Sequence, residues 1–430
     1  MAMIRPETEM KDTGIEWIGN IPSSWVCCKQ KYVISLINGR AFKDTEFEED
    51  GKYRILRVGN LFSNPKWYSS NLELEDDKYC DNGDLLYAWS MSYGPYIWNG
   101  EKVIYHYHIW KAKLLNNLSK RFAYYYLIAL SDSIKSDVHE TTMSFITMKS
   151  MNNSYIAFPE DIFEQQAIAD YLDETCSKID EIIAEAKASI DEYKELKQSV
   201  IFEAVTKGLD KNVEMKDSGV EWIGEIPVDW NIAKINRVAW TTSGATPLRS
   251  KETEYYDNAV IRWVRTLDLN NGHVTDSSEK ITETALKNSS CSIMPVKTVC
   301  VAMYGGSGTI GKSGILEVEC ATNQAICSIV SDKKVLNPDY LHYVIMAVRK
   351  YWMKYAVGTR KDPNINQQII AQMRIPIPQL SKQDIIVNHL DKVTDKCDSL
   401  ISEKESFIND LEAYKKSLIY EVVTGKRRVV

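Results

Sequence analysis

Residues 10–25 have the sequence MKDTGIEWIGNIPSSW, and residues 215–230 repeat it almost letter for letter as MKDSGVEWIGEIPVDW. A second repeat relates residues 159–206 to residues 378–424, which end in EAVT and EVVT. The first pair is displaced by 205 positions and the second, over most of its length, by 218. Repetition on this scale is typical of pseudo-symmetric units rather than of one compact fold. The chain is therefore predicted to contain two copies of one module, each with a repeated frame and a variable block.

Both copies of the longer repeat carry apolar or small residues at steps of three and four, which indicates a heptad seam. No Gly or Pro interrupts either run, so each is predicted to be one helix of about 40 residues, roughly 60 Å long. We expect the two helices to pair as an antiparallel coiled coil. The seam positions are Leu172, Cys176, Ile179, Ile183, Ala186, Ile190, Tyr193, Val200 and Ala204 in the first copy, and Leu390, Thr394, Cys397, Ile401, Ile408, Leu411, Leu418 and Val422 in the second.

Two lysines, Lys197 and Lys415, occupy equivalent positions in the seam. Such lysines either fix the register of the helices or extend past the seam to solvent. We favour the solvent alternative, because Leu196 and Tyr414 beside them can share the core.

The order of the repeats is that of a circularly permuted ring, since the first long helix runs directly into the second EWIG segment. We therefore expect the two termini to lie close together, near one end of the helix pair. A pseudo-two-fold axis would cross the middle of the helices, with one variable block at each end. The predicted fold class is α+β, with two globular α/β domains and two long helices. The predicted divisions are residues 1–158, 159–209, 210–377 and 378–430.

Composition agrees with a large multi-domain protein: 430 residues, 44% hydrophobic and 26% charged. No apolar run is long enough to span a membrane, and the first ten residues lack the apolar region of a secretory signal. The nine cysteines show no CxxC pair and no zinc-ligand spacing, which favours a reduced, cytoplasmic location and no metal.

The net charge of −7 is unevenly distributed along the chain. Residues 159–209 carry 5 basic and 13 acidic groups, whereas residues 26–158 carry 16 and 15 and residues 231–377 carry 18 and 12. Acidity is thus concentrated in the frame, while the variable blocks can present locally positive faces to phosphates.

Within the variable blocks we predict strands that end in polar turns at residues 53–61 and 260–269. Helices are predicted at residues 121–130 and 338–355, the second with Asn337 as its N-cap. Further strands are predicted at residues 85–89, 105–114, 299–303 and 325–330.

Several motifs suggest chemistry but lack its context. Residues 306–313, GSGTIGKS, match the phosphate-loop pattern, yet a strand-like run follows where a helix is required. We favour a glycine-rich turn between strands that can approach a DNA backbone. His106 and His108 alternate on one strand face, but two histidines without further ligands do not define a metal site. We find no nuclease or serine-triad constellation, and we predict that the chain is not an enzyme.

The whole pattern resembles the DNA-specificity (S) subunit of type I restriction-modification systems. The likeness is carried by the paired WIG-x-IP-x-x-W segments at residues 17–25 and 222–230, by the paired helices, and by the IP-x-P entry at residues 375–378. These features frame the whole chain. The first block departs from the pattern, because its entry is YIAFP at residues 155–159 and its glycine turn is reduced to Tyr-Gly-Pro at residues 93–95.

The resemblance implies two target-recognition domains separated by the coiled coil, each recognising one half of a bipartite, gapped DNA site. The helices would set the spacing. Two modification subunits would dock on the chain, bind S-adenosylmethionine and methylate adenine, and two restriction subunits would add ATP- and Mg-dependent translocation and cleavage. No cofactor is expected in this chain. The target sequence, the gap length and the presence of a restriction subunit stay open.

Contacts with double-stranded DNA are expected from polar and basic side chains on loops at strand ends. The frame tryptophans and their neighbours either pack a linker onto the helix ends, which we favour, or contribute to the dock for the modification subunits. The candidate DNA contacts are Arg57, Asn60, Ser90, Ser92, Tyr93, Thr141, Thr142 and Ser144 in the first block, and Arg265, Asp268, Ser307, Thr309, Lys312, Thr359, Arg360, Lys361 and Asn364 in the second. The candidate partner contacts are Trp17, Ile18, Trp25, Trp222, Ile223 and Trp230.

Two functions from other classes compete with this interpretation. A phosphate-loop nucleotide-binding protein would need Lys312 to contact nucleotide. A coiled-coil scaffold would have no role on DNA. Neither alternative explains two unlike blocks in nearly identical frames.

Overall fold

A computed structural model of the chain describes residues 3–62, 64–90, 93–137, 145–305, 308–358 and 363–429. The chain divides into two compact units. Unit 1 comprises Met1–Ala186 and Glu405–Val430, and unit 2 comprises Lys187–Lys404. Unit 1 contains the first variable block, residues 26–158, called the first domain below. Unit 2 contains residues 231–377, called the second domain.

Both long helices are present and each contributes to both units. They span Ile162–Lys207 and Leu380–Val423, with 46 and 44 residues. Most predicted seam positions are buried, from Leu172 to Ile190 in the first helix and at Leu390, Cys397 and Leu418 in the second. The uninterrupted heptad pattern therefore predicted both helices correctly.

The helix pair is antiparallel, as its contacts within unit 2 show. Lys197 donates to Asp398 at 2.6 Å, while Val205 shares a core cluster with Ile386 and Leu390. As residue numbers rise along the first helix, from 197 to 205, the numbers of the residues opposite fall along the second, from 398 to 390 and 386.

Both seam lysines form ion pairs across the helix pair, so the expectation that they extend to solvent was wrong. Lys415 pairs with Asp180 at 2.6 Å inside unit 1, the same contact that Lys197 makes with Asp398 in unit 2. The physical reason is that Asp180 and Asp398 are themselves repeat partners, 218 positions apart like the lysines. In each pair the lysine side chain is the more buried member.

The first domain contains two four-stranded sheets. Beside them lie the helices Lys120–Asp137 and Met148–Asn153. One sheet has the strand order Gly94–Ile97, Leu85–Ala88, Ile109–Leu114, Ile34–Asn38; the other has Tyr68–Ser70, Tyr53–Leu56, Val103–Tyr105, Tyr79–Cys80.

The second domain repeats this topology with one additional edge strand. Its helices are Ile235–Val238, Glu252–Tyr255, Glu283–Asn288, Pro338–Val348, Trp352–Tyr355 and Gln367–Gln372. Its first sheet has the order Ser313–Leu316, Val299–Ala302, Ile326–Ser331, Ala239–Ser243, with Gly272–Val274 added beside Ser313–Leu316; its second has Lys280–Ile281, Ile261–Val264, Cys320–Thr322, Ile293–Met294.

The variable blocks are therefore one fold with different surfaces, although their sequences barely resemble each other. In both, a parallel pair lies at the centre of the second sheet: Tyr53–Leu56 with Val103–Tyr105, and Ile261–Val264 with Cys320–Thr322. The strand predicted over residues 105–114 is in fact two strands, because residues 106–108 leave one sheet to enter the other. The helix predicted over residues 338–355 ends at Val348, and the 3-10 helix Arg349–Tyr351 and the short α-helix Trp352–Tyr355 follow it.

Small antiparallel pairs of strands occur in each unit, both in the frame segments and within the domains. The termini meet in unit 1, where Met3–Ile4 pairs with Arg427–Arg428, as the circular order predicted. The remaining pairs are Met10–Asp12 with Asn20–Pro22, Val26–Lys29 with Tyr155–Phe158, Met215–Asp217 with Glu225–Pro227, Asn231–Lys234 with Arg374–Ile377, and Val357–Gly358 with Pro363–Asn364.

Within the described ranges, no helix combines the length and apolar character needed to cross a lipid bilayer.

Candidate nucleic-acid interface

Each domain has the same capped turn at the end of a central strand. In the first domain Arg57 follows the strand Tyr53–Leu56, and its backbone N–H donates to Asn60 Oδ1 at 3.1 Å. In the second, Arg265 follows Ile261–Val264 and its N–H donates to Asp268 Oδ2 at 2.7 Å. Arg57 and Arg265 fall at matching positions in the two sequences, and the turns carry them, together with Asn60 and Asp268, at equivalent places.

The capping side chains of Asn60 and Asp268 form further hydrogen bonds that hold the turns in place. Asn60 Nδ2 donates to the carbonyls of Asn64 and Lys66 at 3.1 and 3.0 Å. Asp268 Oδ1 accepts from the N–H of Ser278 at 3.1 Å. A DNA contact by Asn60 or Asp268 would have to compete with these bonds, since an amide or carboxylate offers few further sites.

The two arginines differ in their electrostatic state. Arg265 lies 2.8 Å from Glu279, whose pKa is lowered chiefly by its hydrogen bonds from Arg249 and also by the charge of Arg265. Arg57 instead stacks over the ring of Tyr68, 5.1 Å from its centroid, and has no carboxylate partner in the described part of the chain. Arg57 is thus the more available cation, because Arg265 would have to exchange an existing ion pair for a phosphate.

A glycine-rich loop in the second domain joins the strands Val299–Ala302 and Ser313–Leu316. Arg349 Nη2 donates to the carbonyl of Gly308 at 2.8 Å, which ties the loop to the end of a helix. A strand follows the loop, so the helix amino terminus that a phosphate loop needs is not at this place. Thr309 is buried, whereas Lys312 is half-buried and forms no ion pair among the described residues.

The corresponding loop of the first domain is shorter. Ser90 forms an isolated bridge with Phe145, and Ile146 donates to the carbonyl of Trp89 at 3.0 Å. Tyr93 is buried, and burial raises the pKa of its hydroxyl. In the second domain residues 364–365 correspond to residues 145–146, because Ile365 donates to the carbonyl of Met303 as Ile146 does to that of Trp89. Asn364, the first residue of this segment, is exposed. Outside the described residues lie the candidates Ser92, Thr141, Thr142, Ser144, Ser307, Thr359, Arg360 and Lys361.

The candidate groups converge at one edge of each domain through backbone hydrogen bonds. In the second domain Ile365 donates to Met303, and Met303 donates to Ala325. This linkage brings the glycine-rich loop, the segment after Asn364 and residues 323–325 together. In the first domain the same bonds join residues 89–90, 106–108 and 145–146.

Sequence reasoning missed residues 106–108 and 323–325 at this edge. His106 and His108 were weighed only as metal ligands; their ring centroids are 4.8 Å apart. Burial, with the neighbouring His108 and Arg57, lowers the pKa of His106 to about 4. Among the described residues, no group of three or more His, Cys, Asp or Glu side chains is placed to hold a metal ion. The sequence could have indicated these residues by their position, because each tripeptide directly follows a run of buried strand residues.

The frame side chains proposed for partner contact lie mostly in the interior. Trp25 Nε1 donates to Glu164 at 3.1 Å, and Trp222 Nε1 donates to the carbonyl of Arg374 at 3.2 Å. Trp17 is half-buried against Tyr126. This is the packing alternative of the sequence analysis, and it leaves Trp17 as the member with substantial accessible surface. The buried members are Ile18, Trp25, Trp222, Ile223 and Trp230.

This arrangement of two equivalent domains and a repeated helix pair matches known proteins. A family model described as "Type I restriction modification DNA specificity domain" matches residues 22–192 and 227–410. The chain belongs to this family, as the sequence resemblance indicated.

The similar proteins agree with this assignment. The chain is 22% identical to the type I restriction enzyme EcoBI specificity subunit of Escherichia coli over 97% of this chain and 89% of the relative. It is 24% identical to the MjaVIII specificity subunit of Methanocaldococcus jannaschii over 81% of this chain and 80% of the relative. Both relatives are named as specificity subunits, in agreement with the prediction that this chain is a specificity subunit rather than an enzyme.

A solved structure supports the fold. A chain from a study of complex assembly and conformational transition of the type I R-M system superposes with a TM-score of 0.71 at 12% identity. The superposition covers 94% of this chain and 99% of the other. At this identity the likeness concerns the architecture alone.

Proposed function

We propose that this chain selects the DNA sequence for a type I restriction-modification complex, with each domain recognising one half of a bipartite, gapped duplex site. One observation carries the proposal: two domains that share the order of eight strands, with one edge strand added in the second, present different side chains on nearly identical frames. A repeated scaffold with different contact residues suits recognition of two unlike half-sites, since base edges specify sequence while the scaffold fixes orientation.

The long helices set the distance between the half-sites in this proposal. Each helix is continuous and has residues in both units. An α-helix rises 1.5 Å per residue and is far stiffer than an irregular linker. The reciprocal pairs Lys197–Asp398 and Lys415–Asp180 support a single register of the two helices.

The partners are two modification subunits, which bind S-adenosylmethionine and methylate adenine. A chain with internal two-fold repetition offers two similar docking surfaces, so that two copies of the same partner can bind, one at each surface. The frame around Trp17 is a candidate part of one dock. Where restriction subunits join, they supply the ATP- and Mg-dependent steps, and this chain binds none of these cofactors.

The proposed DNA contacts are of two kinds. Arg57 and Lys312 would bind phosphates, because neither side chain forms an ion pair with a carboxylate in the described structure. Backbone N–H groups of the glycine-rich loop would add to these contacts. Asn364 and Ser90 would approach base edges. The candidates outside the described residues remain predictions of the sequence.

The test is to map methylated adenines in cells that express this chain with the modification subunit of its system. The proposal expects a bipartite motif with two unrelated halves. Arg57→Ala should weaken or relax modification at one half, and Lys312→Ala should do so at the other. A single continuous motif, or no modified motif with a soluble, intact complex, would overturn the proposal.

A further inference from the structure

We infer that residues 106–108 and 323–325 are equivalent base-contacting positions and that their different side chains give the two half-sites different sequences. This inference rests on the proposed function and names the residues that determine specificity within it. The first tripeptide is His-Tyr-His and the second is Asn-Gln-Ala.

The two tripeptides have the same backbone environment. Five hydrogen bonds recur in both domains, and all of them use backbone atoms, so they do not depend on side-chain identity. In the first domain they are His106 N–H to Leu56, Ile109 N–H to His106, Trp89 N–H to His108, Gly39 N–H to Ile109 and Arg40 N–H to Tyr105, at 2.9–3.1 Å; in the second they are Asn323 to Val264, Ile326 to Asn323, Met303 to Ala325, Gly244 to Ile326 and Ala245 to Thr322, at 2.8–3.4 Å.

A glycine passes closely beside each tripeptide. A Cβ atom added to Gly39 would lie 2.4 Å from the carbonyl oxygen of His106, and one added to Gly244 would lie 2.6 Å from that of Asn323, the equivalent residue. Both distances exclude any side chain. The same close approach in both domains indicates that the path of the backbone is fixed at this point.

The side chains on this fixed backbone differ in chemistry. The ring of His106 lies 6.5 Å from that of Phe42, and the ring of His108 lies 5.0 Å from that of Trp89. All four side chains are partly accessible. Because the pKa of His106 is about 4, its ring is neutral at pH 7 and offers one donor and one acceptor. A neutral imidazole beside aromatic rings can form both hydrogen bonds and stacking contacts with bases.

The second tripeptide presents an amide instead. Gln324 is exposed, and its side chain has no hydrogen-bond partner among the described residues. Asn323 uses its Oδ1 to accept from the N–H of Ala325 at 3.2 Å. A free glutamine amide matches the paired donor and acceptor of an adenine edge in the major groove. Gln324 is therefore the residue of the second tripeptide most suited to base recognition.

Each tripeptide lies beside the capped turn that carries Arg57 or Arg265. The carbonyls that accept from His106 and Asn323 belong to Leu56 and Val264, which directly precede Arg57 and Arg265. Trp89 and Met303, which donate to the last residue of each tripeptide, begin the turn or glycine-rich loop that follows. In the first domain this places Arg57, a proposed phosphate contact, in the turn beside the tripeptide, so that phosphate positioning and base recognition would occur side by side.

The experiment compares methylated motifs for the wild-type chain, Gln324→Ala, and the triple graft H106N/Y107Q/H108A, each expressed with the modification subunit. Gln324→Ala should lose discrimination at one base pair of one half-site by about 10-fold or more, with the other half-site unchanged. The graft should alter only the half-site that Gln324→Ala leaves intact. Lys287→Ala is the matched control, because Lys287 is exposed on a helix of the second domain and should leave both half-sites unchanged.

The outcomes separate this inference from the proposed function. If the wild-type complex modifies no bipartite motif, the proposed function fails. If it does, but Gln324→Ala leaves every position as selective as in the wild type, the inference about specificity fails alone. Should the graft prevent folding, modification at both half-sites disappears, and the single exposed substitution at Gln324 still decides the matter.

Discussion

Replacing Gly311 by alanine should destabilise the second domain more than the same change at Gly308. Both glycines lie in the glycine-rich loop and have a positive φ, +70° and +77°. A left-handed conformation costs a non-glycine residue about 1–2 kcal/mol. At Gly308 an added Cβ meets nothing within 4 Å, so this backbone cost is the whole effect.

At Gly311 the added Cβ would also lie 2.3 Å from Cδ1 of Trp352, which is fully buried. Forcing an atom into a packed interior costs about 1–3 kcal/mol more. The expected totals are about 1–2 kcal/mol for Gly308→Ala and about 2–5 kcal/mol for Gly311→Ala. For a domain of this size, each kcal/mol lowers Tm by about 2–4 °C.

The assay is scanning calorimetry of the purified chain and both variants under one buffer condition. Gly311→Ala should lower Tm by about twice as much as Gly308→Ala, or more. Equal shifts would refute the argument, because they would show that Trp352 does not confine the loop.

Three further predictions concern stability and affinity. Lys197→Ala and Lys415→Ala should each lower the free energy of unfolding by about 0.2–1 kcal/mol in denaturant titrations, by similar amounts because the two ion pairs are equivalent; strongly unequal losses would contradict this. Burial lowers the pKa of His342 from 6.5 to about 3, so the unfolded chain takes up this proton first and stability falls as pH drops through that range. His342→Leu should therefore lose less stability than the wild type between pH 7 and pH 5, and an identical loss would exclude the histidine as a cause. Lys312→Ala should reduce the slope of log affinity against log salt for duplex DNA by about 0.9, whereas an unchanged slope would remove Lys312 from the phosphate contacts.

The repeated frame and the long helices could be predicted from sequence because their signals are local and periodic. Leu172, Cys176 and Ile179 follow a helical spacing that needs no knowledge of distant residues. The closeness of the two termini was predicted from the order of the repeats alone. The same logic would have predicted the ion pairs of Lys197 and Lys415, had the aspartates at the same 218-residue offset been included.

The common strand order inside the two domains could not be predicted, because it depends on pairing between residues far apart in the sequence. His106 and Asn323 have nothing in common as side chains, yet their backbones form the same bonds. The partner of Arg265 was equally inaccessible, since Glu279 is brought to it by an antiparallel strand pair. Sequence therefore identified Arg57 and Arg265 as equivalent, whereas only the structure distinguishes their availability for DNA.

The central claim is that the helix pair fixes the distance between two unlike half-sites. Its most direct test inserts seven residues after Ala186 and seven after Lys404, which preserves the heptad pattern of both helices. Seven residues add about 10 Å, or about 3 base pairs of duplex. Methylated-adenine mapping should then show the two original half-motifs separated by a gap about 3 base pairs longer, whereas efficient modification at the original gap would contradict the account.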